Sequence, residues 1–188
     1  MARRVEGLVR ALREGDDAAK ATAAGALCSL AYHDDAYVVL IAAAGGIPPL
    51  VDLLRDGSAD AKEQAAWALT NLACNDANKI LIAEAGAIPP LVQLLHDGRV
   101  KSSAAWALHA LVHNNDTNAV AIAAAVGFDA LVELARRGRV NVGNESLVSN
   151  ASVPAMRKAA LVAGQLLEAA APRARVTKYI KAAIASYL

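Results

Sequence analysis

The chain has 188 residues, enough for a sizeable core, and is 56% hydrophobic but only 4% aromatic. A core of Ala, Leu, Val and Ile favours closely packed helices over a β-sandwich. The formal net charge of +1 excludes a global field drawing the protein toward nucleic acid or membrane.

The first predicted helix carries Val5, Leu8, Val9 and Leu12 at helical spacing and stops at Glu14-Gly15-Asp16. A second runs from Asp17 to Ala31. His33-Asp34-Asp35 breaks it and caps a short helix, Ala36 to Ala44. Gly45-Gly46 ends that helix, and Pro48-Pro49 suits the first turn of the next, which buries Leu50, Val51, Leu53 and Leu54. Asp56-Gly57-Ser58 leads into a long helix, Ala59 to Cys74. The pattern then returns: a short helix Ala77 to Ala85, a second Pro89 to His96, and a long one to Val112. The turn at Asp97-Gly98 is shorter than its counterpart, so the last helix is expected to start tightened or displaced.

Two phrases recur. Gly45-Gly-Ile-Pro-Pro-Leu-Val-Asp-Leu-Leu54 returns as Gly86-Ala-Ile-Pro-Pro-Leu-Val-Gln-Leu-Leu95, with fainter copies at Val5–Leu12 and Gly127–Leu134. Gln64-Ala-Ala-Trp-Ala-Leu-Thr-Asn71-Leu returns as Ser103-Ala-Ala-Trp-Ala-Leu-His-Ala110-Leu. A period of roughly 40 residues is that of two- or three-helix repeats, which must stack to share a core. The division is a single domain, 1–188. Residues 1–44 form an N-terminal partial repeat and the first helix of the next. The core periods are 45–85 and 86–126. A divergent repeat, 127–172, carries a polar insertion at 138–153, and 173–188 is a capping helix with Val176, Ile180, Ile184 and Tyr187 on one stripe.

These phrases resemble armadillo repeats of the importin-α and β-catenin kind, strongly over Gly45 to Val112 and weakly beyond Gly138. The resemblance implies an all-α, right-handed superhelix of about three full repeats with partial terminal repeats. It also implies that the long third helices line a concave, peptide-binding groove. In such grooves the Trp and Asn of the third helix face the partner, which places Trp67, Asn71 and Trp106 there.

The chemistry of those residues suits the role. An Asn amide both donates to and accepts from an extended backbone without reading sequence. An indole offers a wall for a Lys or Arg stem, with cation–π attraction of about 0.5–2 kcal/mol. Glu63, one turn before Trp67, would attract a basic side chain. The ladder is incomplete: the Trp position reads Gly25, Trp67, Trp106 and Leu161, the Asn position Ser29, Asn71, Ala110 and Gln165, and the Glu63 position Ala21, Ser102 and Arg157 elsewhere. The expected groove is therefore short, centred on Trp67, Asn71 and Trp106 and flanked by Glu63, Ser29 and Gln165.

His109 and His113 have chelating spacing but no carboxylate or thiol at a matching position, so no metal and no cofactor is expected. Cys28 and Cys74 fall at different repeat positions and are read as small buried free thiols. No nucleophilic triad, phosphate loop or paired-carboxylate cleft is visible, and the chain reads as no enzyme. Met1-Ala-Arg-Arg enters an amphipathic pattern rather than an apolar leader, and no apolar run spans a bilayer, so an intracellular, cytoplasmic or nuclear, protein is expected.

The function expected is a non-catalytic protein–protein interaction scaffold for an extended peptide or helix. Two alternatives stand beside it. One is a nuclear-import-type adaptor or nucleic-acid-binding helical repeat, the latter disfavoured by charge and resting on Arg136, Arg137 and Arg139. The other is the substrate-recognition fragment of a larger protein such as a ubiquitin ligase. Exposed ends of the stack leave a homodimer open.

Overall fold

The computed structural model describes residues 1–95, 97, 99–113, 115, 117, 118, 121, 122 and 125. The insertion at 138–153, the divergent repeat 127–172 and the segment 173–188 lie outside the described residues. The chain divides into two compact units, Met1–Leu111 and Val112–Leu188. In the first the described residues form helices and contain no strand: α1 (Ala2–Glu14), α2 (Asp17–His33), α3 (Asp35–Ala43), α4 (Ile47–Asp56), α5 (Ala59–Leu72), α6 (Asp76–Glu84), α7 (Ile88–Leu94) and α8 (Lys101–Val112).

Each start has a local cause. The side chains of Asp16, Asp34, Ser58 and Asn75 accept backbone N–H groups that the first turns of α2, α3, α5 and α6 leave unpaired. The proline pairs stand at the first positions of α4 and α7, where no N–H is needed. The ends of α3 and α6 are set by Gly45 and Gly86, at φ of 71° and 79°. An L side chain is strained in that left-handed region, and glycine is not. Arg13 then donates to the Gly45 carbonyl at 3.0 Å, and Arg55 to the Gly86 carbonyl at 3.2 Å. The same staple thus joins each second helix to the turn one repeat later.

The core is one layer of equivalent positions. Leu27 of α2 and Leu69 of α5 are fully buried, as are Leu50 of α4 and Leu91 of α7, and Ile41 of α3 and Ile82 of α6. Burying each such side chain contributes about 1.5–3 kcal/mol. Ala23, Ala65 and Ala104 are buried at one equivalent position of the three long helices. Small residues there let α2 and α5 approach closely, and this is the most extensive helix pair in the unit. Leu8, expected on the buried stripe of α1, is only half-buried, while Val5, Val9 and Leu12 are buried.

The shortened turn has the expected effect. Helix α5 opens eight residues before Trp67, at Ala59, whereas α8 opens five before Trp106, at Lys101. The missing helical residues are replaced by a turn, in which the Lys101 N–H donates to the Asp97 carbonyl at 2.9 Å and Arg99 pairs with Asp60 in the first turn of α5. In the second unit, Asn115 accepts the N–H of Asn118 at 3.0 Å, the cap that Asn75 makes for Asn78.

Candidate functional site

Helix α5 is two-faced. Ala61, Ala65, Ala66, Ala68, Leu69 and Leu72 bury one side. Glu63, Trp67 and Asn71 follow one another at four-residue spacing up the other, and all three are half-buried. Helix α8 repeats the arrangement with an exposed Ser102 and a half-buried Trp106 and Ala110. Helix α2 presents half-buried Ala21 and Gly25 and an exposed Ser29.

The side chains on this stripe are tied down differently from one helix to the next. The Asn71 amide donates through Nδ2 to the Cys28 carbonyl at 3.0 Å and lies 3.4 Å from its Sγ. It is a bond between third helices, so the Asn71 donor serves the stack as well as any ligand. Ser29 turns back on its own helix, its Oγ donating to the Gly25 carbonyl at 3.1 Å. Trp106 meets the edge of His109, with ring centroids 5.7 Å apart and planes at 86°. Of the six residues expected in the groove, Ser29, Glu63, Trp67, Asn71 and Trp106 fall on the equivalent exposed faces of α2, α5 and α8. Gln165 lies outside the described residues.

Gly25 has a further consequence. A Cβ there would stand 3.2 Å from Oε1 of Gln64, so the α5 glutamine already lies against the α2 backbone at the position where the other two long helices carry Trp. On α2 this position carries no aromatic side chain.

Sequence reading missed a row one turn beyond Asn71. Tyr32 and Cys74 occupy equivalent positions at the C-terminal ends of α2 and α5, and both are exposed. The signal was present, since they lie three residues past Ser29 and Asn71. Burial pushes the Cys28 thiol above its ordinary range, whereas Cys74, expected to be buried, is exposed because it lies just past the end of α5. Among the described residues no group of three metal-ligating side chains is gathered, and no single helix is long and apolar enough to cross a membrane.

Comparison with known proteins places this geometry. The family model of the armadillo/beta-catenin-like repeat matches residues 34–74 and 75–112. These matches start at the short helices α3 and α6, so each spans a short, a second and a long helix. No curated protein matches. Among solved structures, an engineered protein is 27% identical at a TM-score of 0.66, over 95% of this chain and 67% of that one. A second engineered protein is 28% identical at a TM-score of 0.68, and here the chain covers 46% of its length. A designed armadillo repeat protein in complex with the peptide (KR)4 is 27% identical at a TM-score of 0.67, over 98% of this chain and 82% of that one.

Proposed function

We propose that this chain, whose residues 34–112 match the armadillo/beta-catenin-like repeat, is a non-catalytic scaffold holding an extended peptide along the partly exposed stripe of α2, α5 and α8. The observation that carries this is the division of α5, which buries alanines on one side and leaves Glu63, Trp67 and Asn71 open on the other. A half-exposed indole offers a partner a large apolar face with a polar N–H at its edge. That a designed armadillo neighbour holds a peptide supports the reading.

The parts take distinct roles. The bonds to the Cys28 carbonyl and Sγ fix the Asn71 amide, leaving Oδ1 to accept from a peptide N–H with little ordering cost. Trp67 and Trp106 supply apolar walls, and Glu63 a single carboxylate. Ser29 and Tyr32 border the stripe on the α2 side, with Gln165 the corresponding residue of the divergent repeat.

The test is a peptide-display selection against the purified chain, repeated with Trp67→Ala/Asn71→Ala. The selected peptides are expected to lose binding at least about tenfold to the double variant while its helical circular dichroism persists. Equal capture by both proteins overturns the assignment.

A further inference from the structure

The short helices α3 and α6 carry a second repeated surface. Val39 of α3 is 57% exposed, and Ile80 at the equivalent position of α6 is 53% exposed, with Leu81 beside it at 45%. Ala36 and Ala77, one turn earlier and also equivalent, are exposed too. Single exposed apolar side chains are ordinary. These belong to two helices bonded to each other: Nδ2 of buried Asn78 donates to the Val38 carbonyl at 3.3 Å and to the Leu72 carbonyl at 3.1 Å. The residues next to that link, Val39 and Ile80, therefore lie on neighbouring helices held in fixed register.

The exposed charge on these two helices has one sign. Asp35 opens α3 and Glu84 closes α6, both exposed. The only basic side chain on either helix, Lys79, is 4% exposed, with its ammonium 2.7 Å from Asp76. Arg13 and Arg55, which end nearby helices, donate to the carbonyls of Gly45 and Gly86. The face is thus an apolar row with carboxylates at its ends, while the nearby guanidinium groups are held by backbone carbonyls and, for Arg55, by Asp52.

We propose that the outer face of α3 and α6 is a docking site for a partner's amphipathic helix whose apolar stripe is flanked by Lys or Arg. The exposed faces of two helices linked through Asn78 offer side chains and no unpaired backbone edge, so they receive a helix's apolar stripe rather than an added strand. The acidic ends select a basic flank and reject an acidic one. This site shares no residue with the stripe of Trp67 and Asn71, and does not depend on it.

The experiment uses the full chain and a fluorescein-labelled amphipathic peptide of leucine and lysine, with its leucines on one helical stripe, followed by anisotropy. The expected result is saturable binding that is at least about tenfold weaker for the same peptide with glutamate in place of lysine, and for a scrambled order of identical composition. Val39→Lys/Ile80→Lys should weaken binding about tenfold or more with circular dichroism unchanged, and Val39→Ser/Ile80→Ser serves should the lysines unfold the protein. Asp35→Asn/Glu84→Gln should weaken it severalfold and flatten its salt dependence. Trp67→Ala should leave it unaltered. The proposal is overturned by equal binding of the scrambled peptide, by undiminished binding to the Val39/Ile80 variants, or by loss on Trp67→Ala. It is also overturned if the same two substitutions instead abolish self-association in sedimentation, or attachment to phosphatidylserine vesicles, without affecting the peptide.

Discussion

Asn71 on α5 donates its side-chain amide to the backbone carbonyl of Cys28 on α2, 3.0 Å away across 43 residues of sequence. One residue thereby joins two repeats and stands on the stripe that we assign to the peptide. Removing it should be felt twice. Asn71→Ala leaves the Cys28 carbonyl without this partner and should cost about 1–3 kcal/mol in urea unfolding. Asn71→Asp should cost at least as much, since a carboxylate repels that carbonyl.

Arg55 and Gly86 make a second, independent joint. Gly86 sits at a φ of 79°, so Gly86→Ala should destabilise by about 1–2 kcal/mol. Arg55→Ala removes a partly exposed donor from the Gly86 carbonyl and should cost less, about 0.5–1.5 kcal/mol. Thermal unfolding of both variants checks the order, and a larger loss for Arg55→Ala would contradict it.

Gly25 offers a gain. It lies inside α2, where alanine is favoured over glycine by about 0.5–1 kcal/mol. The added Cβ would meet only the flexible end of Gln64, at 3.2 Å, which can move by a few tenths of an ångström. Gly25→Ala should be neutral to mildly stabilising in denaturant melts. Gly25→Trp, which drives an indole into Gln64, should destabilise.

The two thiols should separate by rate. Thiolate is the attacking form, so raising the pKa of half-buried Cys28 lowers its reactive fraction at neutral pH, while Cys74 is exposed. Mass spectrometry during limited alkylation at pH 7.5 should show Cys74 labelled first. The Cys28 rate should keep rising with pH above the ordinary thiol range. A selected peptide lying along the stripe should slow Cys74, which is one turn past Asn71.

The partner should not be polybasic. Asp60 is matched by Arg99 in the next repeat, and Glu63 has Ala21 and Ser102 at its equivalent positions, so no row of carboxylates follows the stripe. The (KR)4 peptide seen with the designed neighbour should bind this chain weakly. Glu63→Gln should abolish what salt dependence its binding shows.

How much of this was legible in the sequence follows the range of each interaction. The recurring Gly-Ile-Pro-Pro-Leu-Val phrase marks helix starts, ends and buried stripes because each is fixed by neighbours within a turn or two. The late start of α8 was readable for the same reason, as a count of residues between Gly98 and Trp106. The Asn71–Cys28 bond was not, because it depends on how closely two alanine-lined helices approach. Nor was the burial of Lys79, which follows Asn78 at a position where α3 carries Val38. The staples of Arg13 and Arg55 were visible only as two arginines in equivalent places, with nothing local to show which carbonyls they reach. Gln165 and the insertion at 138–153 lie outside the described residues.

The central claim is that the exposed stripe of the long helices holds the peptide, and the chain has only two tryptophans, Trp67 and Trp106, both on it. Its 1H–15N spectrum should therefore contain two indole N–H signals, which can be followed as a display-selected peptide is added. The account predicts that both signals shift and saturate together with binding. Saturable binding during which both indole signals stay in place would contradict it.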